Sequence, residues 1–144
     1  MGGDRFLVDG DLTVRGSTIA HMEPLLTLVE VTGAVEIDRN PKLINLDGLF
    51  SLRTGGKSLG VRGNSALRSL TGLNRVRTVK ENLIIFRNRQ LESLNARRRL
   101  RVVGESIEIR ENSVLPDSAI TAFRDTMVSR GFGGGFLNVE NGPS

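Results

Sequence analysis

The 144-residue chain has no cysteine, no tryptophan and no tyrosine, and His21 is its only histidine. The absence of cysteine excludes disulfides, thiolate zinc sites and thiol catalysis. A single histidine supplies neither a zinc ligand set nor a Ser-His-Asp arrangement with a choice of base. These residue types therefore predict a protein that is not an enzyme and that uses no metal and no cofactor.

Long hydrophobic runs are also missing, so no segment is predicted to span a membrane. Residues 1–30 lack a basic start followed by an apolar block, and no signal peptide is predicted. The sequence contains no Asn-x-Ser/Thr acceptor for N-glycosylation. Because the sequence has neither cysteines nor acceptor sites, a cytoplasmic location is not excluded, and the compartment is not assigned.

The composition is that of an ordinary soluble protein, with 38% hydrophobic and 25% charged residues. The length predicts a single domain over residues 1–144. The formal net charge of +4 and the isoelectric point near 10.6 indicate a mild preference for acidic surfaces.

The most informative feature that is present is a repeat of 24 residues. Four asparagines mark it, with nearly the same apolar pattern around each: Asn40, Asn64, Asn88 and Asn112. A constant interval indicates one structural unit copied along the chain in coils of equal length. Each unit starts with the alternation of a β-strand, in Val35-x-Ile37, Leu59-x-Val61, Leu83-x-Ile85 and Ile107-x-Ile109. Stacked about 4.8 Å apart, these strands form a parallel sheet, and the later leucines of each unit fill the interior.

The asparagines have a structural explanation. An amide side chain carries a donor and an acceptor, so a column of them can pair the inward backbone groups of a sharp turn. We therefore predict a structural ladder of these four side chains rather than a ligand site. Gly48, Gly72 and Ala96 share another column, where either only a small residue fits or the φ angle must be positive.

The ends of the repeat differ from its middle. The coils are predicted over about residues 10–115, with Ser17 in place of the first asparagine. A helix over about 116–130 begins at Pro116, and its apolar stripe makes it a lid on the open end of the core. One last strand rung is predicted over about 136–142.

The unit V/L-x-I/V-x-x-N-x-x-L-x-x-L-x-G-L-x-x-L resembles the repeat of receptor L domains, a family related to leucine-rich repeats. The ending, from Leu115-Pro116 to Asn141-Gly142, is similar to that of single-domain bacterial relatives. The resemblance covers about residues 10–142. It implies a mainly β fold: a short right-handed parallel β-helix of 24-residue coils, capped by a C-terminal α-helix and a final strand. It also implies protein binding through a variable surface, no shared catalytic residues and an extracytoplasmic location.

The outward positions of the strands point to a docking face. If Leu83 and Ile85 point inward, then Ile84 and Phe86 are exposed in the middle of the sheet. Charged residues frame them: Arg62, Arg110, Glu36 and Glu108. Apolar residues inside a charged rim are typical of a small interface core. A covering loop, or two lone apolar residues without a function, would produce the same pattern.

A second candidate is an arginine cluster made of Arg87, Arg89, Arg97, Arg98, Arg99 and Arg101. Such a cluster suits phosphates or an acidic partner, although a solvated turn also explains a basic run. The lack of tryptophan and tyrosine argues against nucleic acid, because stacking platforms are scarce.

Together these patterns predict a non-enzymatic interaction module that presents a parallel β-sheet face to a protein or glycan partner. Polyanion binding through the arginine cluster is the alternative. Self-assembly through the unpaired edges of stacked rungs is a further one. The sequence predicts neither the identity of the partner nor the oligomeric state.

Overall fold

Stacked short strands dominate the chain in the computed structural model, which describes residues 6–18, 20, 28–54, 56–94 and 100–142. The strands are β1 (Phe6–Val8), β2 (Leu12–Arg15), β3 (Leu28–Val31), β4 (Val35–Asp38), β5 (Leu59–Arg62), β6 (Thr78–Val79), β7 (Asn82–Phe86), β8 (Val102–Val103), β9 (Ser106–Arg110) and β10 (Gly135–Val139). The helix α1 (Asp117–Ser129) connects β9 to β10. Short 3-10 helices lie at Asp47–Leu49 and Thr71–Leu73.

The main sheet is parallel and has the order β10-β9-β7-β5-β4-β2. Equivalent residues of successive repeats are neighbours in it, since Val35 pairs with Leu59, Leu59 with Leu83, and Leu83 with Ile107. From β4 to β9 each rung is therefore one 24-residue unit further along the chain, whereas β2 lies 23 residues before β4 and β10 lies 29 residues after β9. The predicted β-solenoid with a C-terminal helix and a final strand is confirmed.

A second parallel ladder runs along another side of the coils. It contains the pairs β1-β3 and β6-β8, and a bridge joins Thr54 to Thr78 between them. The backbone N–H of Arg53 donates to Val29 O at 3.0 Å, and the N–H of Arg77 donates to Arg53 O at 2.8 Å. The two ladders enclose the apolar interior.

The interior is filled as the repeat predicts. In the first full unit Leu43, Leu46, Leu49 and Leu52 are all 0% exposed. Each such side chain contributes about 1.5–3 kcal/mol when it leaves water completely.

Gly72 is buried at the point where a Cβ atom would overlap the Leu46 carbonyl group, and its φ angle is not positive. Close packing therefore explains this glycine, and the alternative of a left-handed backbone does not apply.

The four asparagines are fully buried and form one continuous file. In the middle of the file, Asn88 Oδ1 accepts hydrogen bonds from Asn64 N at 3.1 Å and from Asn64 Nδ2 at 3.2 Å. Its own Nδ2 donates to Val61 O at 2.9 Å and to Asn112 Oδ1 at 3.3 Å. Every amide in the file thus pairs backbone and side-chain groups of the adjoining coils.

Two further residues extend this file at its ends. Ser17 donates from N and Oγ to Asn40 Oδ1, at 3.2 and 2.9 Å. Asn141 Oδ1 accepts from Asn112 N at 3.1 Å, and Asn141 Nδ2 donates to Ile109 O at 2.8 Å. Asn141 breaks the interval of 24 residues because α1 is inserted between its rung and the preceding one.

A column of left-handed residues lies directly before the file. The φ angles of Arg39, Arg87, Glu111 and Glu140 lie between 54° and 58°, and Gly63 has the same conformation at 63°. A left-handed residue other than glycine costs about 1–2 kcal/mol. In four of these turns, the left-handed residue that precedes the inward asparagine therefore carries a free-energy cost.

The helix closes one side of the last coil with its apolar stripe. Ile120, Phe123 and Met127 are between 0% and 2% exposed, as the helical spacing predicts. The helix ends in a Schellman motif, in which Phe132 N donates to Met127 O and Gly131, at φ 98°, takes the left-handed position. The Phe123 and Phe136 rings lie 6.5 Å apart and join the helix to β10.

Candidate docking face

The outer face of the main sheet carries all six residues of the predicted docking face. The strands β4, β5, β7 and β9 are paired in register. One column of side chains on their outer face contains Glu36, Ile84 and Glu108. The next outward column contains Arg62, Phe86 and Arg110. The strand pairing therefore brings residues from four repeats into one surface.

Phe86 lies at the centre of this surface beneath two arginines. The guanidinium carbon of Arg110 is 4.4 Å from the ring centroid, and that of Arg87 is 4.8 Å away. Both distances are within the range of cation–π attraction. Because these side chains cover the ring, Phe86 is half-buried, and Ile84 is half-buried as well. The prediction that Ile84 and Phe86 are exposed is therefore wrong, although both point outward.

A depression lies beside Phe86, and Gly63 forms part of its lining. Gly60 and Gly63 carry no side chain, in a part of the sheet where the neighbouring rungs carry long ones. The Glu36 carboxylate lies across Gly60, where a Cβ atom would overlap it, and Arg39 Cγ lies 3.2 Å from the place of a Cβ on Gly63. The depression has a volume of about 570 Å³ and is lined by Arg15, Asp38, Arg39, Arg62, Gly63, Ile84, Phe86, Arg87, Glu108 and Arg110.

The depression is positively charged. Five arginines and two carboxylates line it, and two further carboxylates, Glu36 and Glu111, pair with its arginines, which leaves a formal excess of one positive charge. Asp38 is only 6% exposed, because Arg15 Nε at 2.9 Å and Arg39 Nε at 3.4 Å cover its carboxylate. Strand alternation places Asp38 on the outer face of the sheet, and the two arginines bury its side chain there.

The two central arginines of the rim are incompletely paired. Arg62 Nε lies 3.9 Å from Glu36 Oε2, and Arg110 Nε lies 2.5 Å from Glu108 Oε1 without a hydrogen-bond angle. Both Nε atoms are buried and have no hydrogen-bond partner among the described residues. The guanidinium groups themselves stay accessible, since their side chains are 38% and 41% exposed.

Sequence reasoning missed three contributors to this surface. Arg15 and Arg39 enter it because their strands end beside Asp38, and Arg87 enters it through its left-handed turn. Backbone strain of the kind seen at Arg39 and Arg87 is concentrated at functional sites in proteins. The signal available in the sequence was their position next to Gly16, Asn40 and Asn88, which marks the turn after each strand.

The predicted arginine cluster is divided in the structure. Arg97, Arg98 and Arg99 lie outside the described residues, as does His21. Arg87 lines the docking face and pairs with Glu111 at 3.1 Å. Arg89 is exposed beside it, in a shallower depression of about 340 Å³. Arg101 instead precedes β8 on the second ladder, so the described members do not share one surface.

The described ranges contain no helix that is long and apolar enough to cross a bilayer. They also contain no group of three or more His, Asp or Glu side chains placed to hold a metal ion. No family model, no curated protein and no solved structure matches this chain.

Proposed function

We propose that the chain is a non-enzymatic recognition module that binds an acidic segment of a protein partner on its outer sheet face. The observation that carries the proposal is the half-buried Phe86 ring beneath two guanidinium groups, at the edge of a depression with excess positive charge. Aromatic and arginine side chains are the residue types enriched at the centres of protein interfaces.

The charge of the depression determines the chemistry of the partner. Guanidinium groups bind carboxylates through paired, charge-assisted hydrogen bonds. The side chains of Arg62 and Arg110 are 38% and 41% exposed, so the outer nitrogens of their guanidinium groups can donate to a further anionic group. An apolar side chain next to the acidic group would pack against Ile84 and Phe86, which are incompletely covered.

A protein segment fits this face better than a glycan. Sugar rings pack on the open face of an aromatic side chain, whereas Arg87 and Arg110 already lie over the Phe86 ring. Carboxylates of a peptide meet the arginines at the rim without displacing them from the ring. The apolar floor and charged rim then correspond to the core and rim of a small interface.

The carboxylates of this face support binding rather than catalysis. Glu36, Asp38 and Glu108 each lie against an arginine, at 3.9, 2.9 and 2.5 Å respectively. A carboxylate held in this way orients the guanidinium group that pairs with it. Their role in the proposal is to position the arginines that contact the partner.

The test is a selection from a random peptide library with the wild-type protein, with counter-selection against Phe86→Asp. We expect enriched peptides that contain Asp or Glu next to an apolar residue. Phe86→Asp removes the apolar centre and places a carboxylate where the ligand's carboxylate would bind. Its affinity for the enriched peptides should fall by about tenfold or more.

Phe50→Asp is the matched control, because Phe50 is another surface phenylalanine with an arginine, Arg75, 4.5 Å from its ring centroid. This variant should bind the enriched peptides as the wild type does. Far-UV circular dichroism should show the same spectrum for all three proteins. Enrichment of basic peptides, or equal binding by Phe86→Asp, would contradict the proposal.

A further inference from the structure

The second ladder carries a column of three arginines that the proposed function does not use. Arg53, Arg77 and Arg101 occupy equivalent positions of three successive coils. The N–H of Arg77 donates to Arg53 O and the N–H of Arg101 donates to Arg77 O, both at 2.8 Å. Neighbouring rungs of a sheet are about 4.8 Å apart, so the three backbone positions span about 10 Å along the solenoid.

All three side chains are exposed, and none of them forms an ion pair with another residue in the described part of the chain. Like charges directly opposite each other on adjacent strands destabilise a sheet. The main sheet avoids this arrangement, since Arg62 has Asp38 and Phe86 as its cross-strand neighbours. The column therefore does not serve the stability of the fold.

We propose that this column is a binding line for an acidic polysaccharide. Guanidinium groups at one-rung intervals form a linear array of fork-shaped donors for carboxylates or sulfates. Thr54 and Thr78 directly follow the first two arginines, are half-buried and are backbone bridge partners, so two hydroxyl-bearing residues adjoin the column. Hydroxyl and guanidinium donors together match a polymer that carries both hydroxyl and anionic groups.

Single-stranded nucleic acid is the less suitable polyanion. Its binding depends on aromatic side chains on which the bases stack. The chain has no tryptophan and no tyrosine, and the exposed Phe50 has the guanidinium group of Arg75 4.5 Å from its ring centroid. A polysaccharide needs no such platform, because its anionic groups project from the chain at regular intervals.

The experiment measures binding of the full chain to polygalacturonate and to heparin, with dextran as the neutral polymer and oligothymidine as the nucleic acid. Arg77→Gln should weaken glycan binding by about tenfold, since one charge-assisted contact is lost from the centre of the column. The variant Arg53→Gln/Arg77→Gln/Arg101→Gln should lose binding to both acidic glycans. Wild-type binding should weaken steeply with salt, because charged contacts release counterions.

The matched control is Lys42→Gln/Arg68→Gln/Arg124→Gln, which removes the same charge from exposed positions elsewhere. It should retain glycan binding, and both variants should melt cooperatively by circular dichroism. Equal losses in the two triple variants, or no glycan binding by the wild type, would overturn the column as a site. Tighter binding to oligothymidine than to either acidic glycan would overturn the choice of ligand. Phe86→Asp should bind glycans normally, so this result and that of the peptide selection are independent.

Discussion

Replacement of Asn88 by alanine tests the buried asparagine file at its centre. The Asn88 side chain makes four hydrogen bonds, with Asn64 N, Asn64 Nδ2, Val61 O and Asn112 Oδ1. Alanine leaves the Asn64 backbone N–H, one Asn64 amide hydrogen and the Val61 carbonyl without these partners. An unsatisfied buried group costs about 1–3 kcal/mol, so we expect the free energy of unfolding to fall by about 3–5 kcal/mol.

The matched control is Asn82→Ala, at the start of β7 in the same coil but pointing outward and half-buried. Asn82 Oδ1 accepts one hydrogen bond, from Ser106 Oγ at 2.6 Å. Its loss should cost about 1 kcal/mol or less. Urea unfolding must be followed by far-UV circular dichroism, because the chain has no tryptophan or tyrosine to report by fluorescence. Equal losses of stability in the two variants would refute the structural role of the file.

Two backbone predictions follow from the glycine and left-handed columns. Gly72→Ala should lower the free energy of unfolding by about 1–3 kcal/mol, because its Cβ would overlap the Leu46 carbonyl. Gly133→Ala is its control, since a Cβ there meets nothing within 4 Å and should be neutral or stabilising by about 0.5 kcal/mol. Glu140→Gly should raise stability by up to about 1 kcal/mol, because Glu140 is left-handed at φ 58°. Denaturant unfolding measures all three, and a destabilised Glu140→Gly would contradict the strain argument.

The sequence predicted the solenoid because the repeat itself encodes the strand register. An interval of 24 residues between Asn40, Asn64 and Asn88 requires equivalent backbone groups to meet on adjacent coils. The fifth amide, Asn141, was not assigned to the file, because the inserted helix displaces it to 29 residues after Asn112. A pattern search at a fixed interval cannot follow such an insertion.

The outward direction of Phe86 was predictable from strand alternation, but its environment was not. Alternation specifies which face a side chain occupies, whereas the reach of Arg87 and Arg110 determines how much of the ring is covered. The burial of Asp38 has the same origin, because Arg15 comes from a coil 23 residues earlier. Which long side chains of neighbouring rungs meet can be predicted only when the strand register and the turn conformations are both known.

The sequence did not locate the left-handed column, for a related reason. Gly72 suggested a positive φ angle, yet its small size serves the approach of the Leu46 carbonyl. The positive φ angles occur at Arg39, Arg87 and Glu111, which are residue types that give no sequence signal for this conformation. The hydrogen bonds of the following asparagine compensate the local backbone cost at these positions.

The most direct measurement of the central claim is a titration of the isotope-labelled protein with an acidic peptide from the selection, followed by amide chemical shifts. We predict that the largest shifts fall at Arg62, Phe86, Arg87 and Arg110, around the depression of the outer sheet face. Shifts confined to α1 or to the second ladder, with the outer face unchanged, would contradict the assignment of this face as the recognition surface.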